Sequence, residues 1–360
     1  MSGRAERQAP AKIAQAPLVR ATAGASVSKP AKRLLPNLVY KDWFLATLIL
    51  ATFSPLVLSV VGYGLFGARV NPVMWTLGVV LMLSTAHMWI TLAYYTDARW
   101  RTFFALRPMV FYGVPLALVG GMTLMLAFSP RPIGQAVVCG YALVNLWHHA
   151  KQNWGILALV GRIRKGDVMG LRAPVVWAWP FFLLPWIQFF PFAQDALGPW
   201  LPRAATTSGM AYLVFFGWHA ARSGFIANRD PVLWLFAAAV AAYFVPIAFL
   251  PGSYLILAFM SGHALQYYTL VSSSLILNAR SRTTFASLAL RASLLLAVLV
   301  GITWAALSVR GASGYVSSVT GGAALGLLMG VNFVHFWVDA FIWKFTEASV
   351  RKQHGEALAF

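Results

Sequence analysis

The chain has 360 residues, of which 59% are hydrophobic and only 10% are charged. Soluble globular domains carry about 25% charged residues, so this composition excludes an ordinary water-soluble protein. The chain has 28 Lys and Arg residues against nine Asp and Glu residues. In a membrane protein this excess indicates topology and contact with anionic lipid, and we expect no nucleic-acid partner. The single cysteine, Cys139, excludes a disulfide framework and a cysteine-based zinc or iron–sulfur centre.

The first 40 residues form a basic segment without an apolar stretch. They are rich in Ala, Ser, Pro, Lys and Arg and contain one acidic residue, Glu6. Because the segment has no hydrophobic h-region, it does not resemble a cleavable secretory signal. We interpret residues 1–40 as a disordered cytoplasmic tail that contacts anionic lipid, with an organellar transit peptide as the alternative.

Ten apolar segments follow the tail, and each is close to the length of about 20 residues that a helix needs to cross a bilayer. The sequence therefore predicts an all-α, polytopic membrane bundle of about ten transmembrane helices over residues 41–346, followed by a short cytoplasmic tail, 347–360. The fifth segment contains four prolines, so we expect it to be kinked or broken. The segments lie near residues 42–66, 72–96, 108–128, 134–160, 174–193, 206–226, 232–250, 254–278, 286–309 and 319–345.

The positive charges predict the orientation of this bundle. Alternate loops place 23 Lys and Arg residues, including those of both tails, on one side of the membrane and four on the other, with Lys151 inside a span. Cytoplasmic loops carry the excess of positive charge, so both termini are predicted to be cytoplasmic. We expect a multi-pass protein of the bacterial inner membrane.

Six of the seven histidines lie inside the predicted spans, and all six are on even-numbered spans. These spans run in the same direction. Counted at 1.5 Å per residue, most of the imidazoles lie about 13 to 21 Å from the next cytoplasmic Lys or Arg along the chain. Ionisable side chains are costly within a bilayer, so several at one depth indicate a functional site. The six are His87, His148, His149, His219, His263 and His335.

We predict that five of these histidines bind a metal in the cytoplasmic half of the bilayer. Asp339, which lies four residues after His335 on the same helix face, is a further ligand or a partner that orients His335. Imidazole suits iron, copper and zinc, and the carboxylate favours one or two non-haem iron ions, with haem b or zinc as alternatives. The predicted ligands are His87, His148, His219, His263, His335 and Asp339.

Two local patterns refine this prediction. Trp147-His148-His149-Ala-Lys151 parallels Trp218-His219-Ala-Ala-Arg222, and the alignment of the two favours His148 over His149 as the inward residue. His149, Asn145 and Gln266 are then expected to hydrogen-bond around the ligands. The candidate catalytic groups are Lys151, as a general base, with Tyr94 and Gln152. The glycines of 321–330 lie inside an apolar span and predict close helix contact.

The segment His335-Phe-Trp-Val-Asp339, together with His87 and His263 on other helices, resembles the Brp/Blh-type membrane β-carotene 15,15′-dioxygenases. The resemblance implies a polyhistidine iron site and an isoprenoid-like substrate. The fourth span departs from that family, because His148-His149-Ala-Lys-Gln-Asn stands where a spaced histidine pair is expected. The HxxxH and HxxHH boxes of fatty-acid desaturases and alkane hydroxylases are absent from the sequence.

The sequence thus predicts an O2-dependent, non-haem iron enzyme that hydroxylates, desaturates or oxidatively cleaves a membrane lipid or isoprenoid. The substrate would enter from the bilayer, and an electron donor would be a further partner. Three alternatives stay open. They are a haem b protein in electron transfer or haem handling, a proton-coupled or ion transporter using the histidines with Asp339 and Lys151, and a cyclase or rearrangement enzyme for polycyclic isoprenoids.

Overall fold

The computed structural model describes residues 37–66, 87, 91, 94–95, 98–188, 198–250, 254–278, 319–344 and 350. Within these ranges the chain is helical and contains no strand. A π-helical turn, Met109–Gly113, leads directly into the third helix. The helices are α1 (Asn37–Phe66), α2 (Ala98–Ala105), α3 (Val114–Phe128), α4 (Arg131–Arg164), α5 (Arg172–Val176), α6 (Ala178–Ile187), α7 (Trp200–Arg222), α8 (Pro231–Phe249), α9 (Tyr254–Asn278) and α10 (Val319–Ile342).

Within the described ranges, four helical segments are long and apolar enough to cross a membrane. The predicted class, an all-helical membrane protein, is confirmed at this level. Most of the second predicted span, 72–96, and all of the ninth, 286–309, lie outside the described residues. The four segments are Asp42–Gly64, Met109–Phe128, Pro231–Phe249 and Gly321–Ile342.

The proline-rich fifth segment is broken, as its composition predicts. Helix α5 ends at Val176 and α6 begins at Ala178, and Trp177 between them leaves the α-helical region with φ −97° and ψ 18°. Proline has no N–H for the helical ladder and its ring crowds the preceding turn, so a continuous helix is disfavoured here. The short helix α6 instead packs against α4 and α7.

An ion pair joins the end of α4 to the start of α8. The Asp230 carboxylate caps α8 by accepting the backbone N–H of Val232 at 2.9 Å, and its other oxygen accepts a hydrogen bond from Arg164 Nε at 2.7 Å. The hydrogen bond from Arg164 lowers the pKa of Asp230 below its usual value. This cap fixes the spacing of α4, which carries His148, and α8 at one end of the bundle.

Helix α10 packs along α3 with the two backbones in near contact. Gly322, Gly326 and Gly330 recur every four residues on one face of α10, and a Cβ atom on any of them would overlap backbone atoms of α3. Small residues at this spacing let membrane helices approach closely. The close helix contact predicted from these glycines is therefore confirmed, and it positions the helix that carries His335 and Asp339.

Replacement of Gly326 with alanine should force α10 away from α3, because the added methyl has no space against the α3 backbone. Overpacking of this kind costs about 1–3 kcal/mol. We expect a clear fall in the apparent melting temperature of the purified protein in detergent. Gly121→Ala in α3 is the matched control, since a Cβ there meets no atom within 4 Å. Equal melting temperatures for the two variants would contradict the close contact.

Candidate metal centre

Four of the predicted ligand histidines and Asp339 meet in the interior of the bundle. They come from four places in the chain: His87, His148 on α4, His263 on α9, and His335 with Asp339 on α10. All five side chains are buried. They form two groups able to hold a metal ion, and His335 belongs to both. The first group is His87, His263 and His335, and the second is His148, His335 and Asp339. Within each group, one ligand atom of each residue lies within 4.8 Å of the ligand atoms of the other two.

The four imidazole rings lie close to one another. The ring centre of His87 lies 4.6 Å from that of His263 and 4.7 Å from that of His335, and the centre of His148 lies 5.0 and 5.4 Å from the same two rings. If a metal lies about 2.1 Å from a ring nitrogen, it lies about 3.2 Å from the centre of that ring. Two rings that bind it at a right angle then have centres about 4.5 Å apart, and two rings at the tetrahedral angle have centres about 5.2 Å apart. The observed spacings fit imidazoles that share one metal ion.

A chain of hydrogen bonds sets the ring nitrogen that His335 presents to the other rings. Tyr267 donates its hydroxyl hydrogen to Asp339 Oδ1 at 2.8 Å, so the Thr91 hydroxyl, 2.8 Å from the Tyr267 oxygen, must donate to Tyr267. Thr91 then accepts from His335 Nδ1 at 2.8 Å. The lone pair of His335 is therefore on Nε2, which lies 3.4 Å from His263 Nε2. This is the tautomer that a metal ligand needs.

The same chain positions the carboxylate. With Oδ1 of Asp339 bonded to Tyr267, Oδ2 lies 3.6 Å from His335 Nε2 and 3.9 Å from His148 Nε2. His148 Nε2 is buried and has no hydrogen-bond partner among the described residues. A bound cation would explain a buried imidazole nitrogen that has no hydrogen-bond partner and lies next to a carboxylate oxygen.

Sequence reasoning missed Thr91 and did not select Tyr267 for the site. One local signal was present for Thr91, because it follows His87 by four residues and therefore shares its helix face. Tyr267 stands four residues after His263, and the same spacing argument applies to it. Neither spacing reveals the hydrogen bonds themselves, because Thr91 bonds to Tyr267 and His335, which are 176 and 244 positions further along the chain.

His149, predicted to support the ligands, lies against one of them. Its ring stacks on the ring of His263 with a centre separation of 4.2 Å and on Phe259 at 4.2 Å. The Tyr243 hydroxyl donates to the carbonyl of Phe259 at 3.0 Å, so it accepts from Nδ1 of His149 at 3.0 Å. The imidazole of His149 is thus held between two rings and a phenol, where it restricts the rotation of His263.

Side-chain amides tie α4, α9 and α1 together beside the ligands. Gln266 donates to Asn153 Oδ1 at 3.0 Å and to Thr52 Oγ1 at 3.1 Å, and it accepts from Gln152 Nε2 at 3.0 Å. Gln152 is therefore part of an interhelical network, as is Gln266. Asn145, predicted to have a supporting role, contacts α9 through its Nδ2, which lies 3.3 Å from the Met260 sulfur.

Three predicted site residues lie apart from the clustered ligands. The ring of His219 contacts Phe215 and Trp218 of its own helix. Lys151 is exposed, and its ammonium lies 5.7 Å from the ring centre of Trp147. The ring of Tyr94 is buried against Trp100 and Trp343. The structure thus separates His219 and Lys151 from the ligand cluster and places Tyr94 in an aromatic core.

No protein family, curated protein or solved structure matches the chain. The resemblance to Brp/Blh-type dioxygenases therefore rests on the quoted residues alone. The arrangement of the site itself is a buried set of nitrogen and carboxylate donors with a hydrogen-bonded surround, which is suited to a divalent metal.

Removal of the Thr91 hydroxyl should weaken metal binding without removing a ligand. In Thr91→Val, Nδ1 of His335 loses its acceptor, and in Tyr267→Phe, Asp339 loses its donor. Loss of such partners costs about 10–100-fold in metal affinity. We would measure metal retained during dialysis against a chelator. Thr123→Val is the control, because that hydroxyl donates to the Val119 carbonyl of its own helix. Wild-type metal affinity in both Thr91→Val and Tyr267→Phe would refute the role of this hydrogen-bond chain in metal binding.

Proposed function

We propose that the chain is an integral-membrane metalloenzyme that binds non-haem iron and uses O2 to modify a membrane lipid or isoprenoid. Hydroxylation, desaturation and oxidative cleavage are the reactions in this class. The observation that supports the proposal is the buried cluster of four histidines and one carboxylate, which form two groups of possible metal ligands that share His335. Ionisable groups are rare inside membranes, and a cluster of them is a functional site by default.

The sharing of His335 favours one metal ion. Nδ1 of His335 is bonded to Thr91, so only Nε2 is free to bind metal, and one nitrogen binds one ion. Both candidate groups include this residue, so the two describe overlapping parts of one centre. A single centre with His87, His148, His263, His335 and Asp339 as ligands is the simplest reading of the distances.

The donor set favours iron over copper and zinc. Imidazoles combined with a carboxylate are typical of non-haem iron sites, whereas structural zinc sites are usually complete with four protein ligands. Iron at this position would supply O2 activation. The protein would contribute the ligands, their orientation through Thr91 and Tyr267, and exclusion of water by the buried surround.

A haem is less compatible with this geometry. Two histidines that bind one haem lie on opposite faces of a flat porphyrin, which needs open space around the line between them. Here the rings of His87 and His148 both lie beside those of His263 and His335, with centre separations of 4.6 to 5.4 Å. This crowding supports a metal ion bound directly by the side chains.

We further propose ten spans with both termini in the cytoplasm of a bacterial cell, as the charge distribution predicts. The metal centre then lies in the cytoplasmic half of the inner membrane. An electron donor would approach from the cytoplasm, the substrate would enter from the bilayer, and the basic tail would contact anionic lipid. This orientation is supported by the Lys and Arg residues of alternate loops and the tails, of which 23 fall on one predicted side of the membrane and four on the other.

The test of the metal centre is elemental analysis with optical and EPR spectra on detergent-purified protein. We expect one iron per chain and no Soret band. His148→Ala and His335→Ala should lose the metal, because each removes a ligand of the cluster. His219→Ala is the matched control, since that intramembrane histidine lies apart from the cluster, and His354→Ala controls for the polar tail. Full metal in both cluster variants would refute the site.

The orientation has its own test. A fluorescent reporter that matures only in the cytoplasm should report when it is fused at either terminus, and a periplasmic phosphatase fused at the same points should be inactive. Fusion of the phosphatase after Arg131 or Arg203, in loops predicted to be outside, should give activity. The opposite pattern at either terminus would exclude ten spans with both ends inside.

A further inference from the structure

Helices α4 and α10 share a row of aromatic rings that leads to the metal ligand His148. Phe336 stacks on the His148 ring with a centre separation of 4.1 Å. Phe333, one turn earlier, lies 6.2 Å from Phe336 and 5.7 Å from the ring of Tyr141 on α4. We refer to Tyr141, Phe333 and Phe336 as the aromatic strip. It connects the candidate metal centre to a point about one helical turn away along α10.

The far end of the aromatic strip carries a polar pair. The Asn332 amide donates from Nδ2 to the Tyr141 hydroxyl oxygen, which joins α10 to α4. Asn332 is 2% exposed, and its Oδ1 is buried without a hydrogen-bond partner among the described residues. The hydroxyl hydrogen of Tyr141 likewise has no acceptor there. A buried polar atom without a partner costs about 1–3 kcal/mol, so a molecule that bonds to it is expected.

The two unused groups of this pair define the chemistry of that molecule. Asn332 Oδ1 accepts a hydrogen bond, and the Tyr141 hydroxyl can donate one while it accepts from the amide. A hydroxyl group both donates and accepts, so it satisfies both groups at once. A carbonyl would use Tyr141 and leave Asn332 Oδ1 unpaired, and a hydrocarbon would satisfy neither.

The surroundings of the pair are apolar and reach the edge of the protein. Tyr141 and Phe333 are only partly buried, so this end of the aromatic strip borders the outside of the bundle. The side chains packed around it are those of α3, α4 and α10, and they suit an aliphatic or isoprenoid chain. They include Val137, Val138, Leu325 and Met329.

We propose that the substrate of this enzyme is a lipid alcohol whose hydroxyl group is bound by Asn332 and Tyr141. Its chain lies along the aromatic strip and reaches the metal beside Phe336 and His148. Asn332 precedes His335 by three residues, about 4.5 Å along the helix axis. The reacting carbon is therefore several bonds from the hydroxyl group. This inference rests on the proposed function, because it identifies the substrate of that same site.

The experiment uses the full chain, purified in detergent and loaded with iron. The probe is a C20 isoprenoid alcohol that carries a photoreactive diazirine in mid-chain. The unlabelled alcohol, the aldehyde and the hydrocarbon of the same skeleton compete with it, and labelled peptides are mapped by mass spectrometry. We expect label on the peptide containing Phe333 and Phe336. The alcohol should compete at a concentration about tenfold below that of the hydrocarbon or the aldehyde.

Two variants and a control isolate the polar pair. Tyr141→Phe removes one hydroxyl and Asn332→Leu removes the acceptor, and each should reduce the preference for alcohol over hydrocarbon to about twofold or less. Both should keep the wild-type iron content, because neither is a ligand. Tyr63→Phe, at an exposed tyrosine on α1, should keep the full preference. If Asn332→Leu does not fold, the measurement on Tyr141→Phe is sufficient to test the proposal.

Equal competition by alcohol and hydrocarbon in the wild type would overturn the proposal, and so would equal competition by alcohol and aldehyde. A preference that survives in Tyr141→Phe would also overturn it. Failure of the proposed function has a different signature. A wild type that prefers the alcohol and labels at the aromatic strip but binds no iron would support the alcohol site and contradict the metalloenzyme.

Discussion

Asp339 places a carboxylate within a helix that is long and apolar enough to cross a membrane, and the arrangement around it follows from that constraint. A buried carboxylate is costly unless its charge is balanced and its oxygens are hydrogen-bonded. Tyr267 bonds one oxygen, and the imidazoles of His148 and His335 face the other. None of these neighbours carries a permanent positive charge. A bound divalent cation would balance the charge and use the imidazole lone pairs at the same time.

The sequence was sufficient to predict the all-helical class and several local features of the fold, because hydropathy and helical spacing are local properties. The apolar segments, the break at the prolines near Trp177 and the glycine face of α10 are all visible within windows of a few turns. Which helices are neighbours is not local. The contact of α10 with α3 depends on segments about 200 residues apart, and only the small residues on one side of it indicated a close partner.

The predicted metal ligands also divide into those that local spacing along a helix predicts correctly and those that depend on how the helices pack. His335 and Asp339 were predicted to face the site together because they share a helix face, and the structure places them there. His219 was included because it lies on an even-numbered span like the other ligands, but its position along a span does not fix the rotation of that helix about its axis. The ring of His219 points toward Phe215 and Trp218 instead. The hydrogen bonds of Thr91 cross between helices, and no local pattern encodes them.

The order of the ligands along the chain has a consequence for biosynthesis. His87 and His148 enter the membrane in the first half of the sequence, whereas the residue common to both ligand groups, His335, is on the last described helix. A nascent chain with its earlier helices inserted has only two or three imidazoles and no carboxylate at this point. Under the proposed function, tight metal binding would therefore require α10 to be packed against α3, and insertion of this helix would set the time at which the metal is bound.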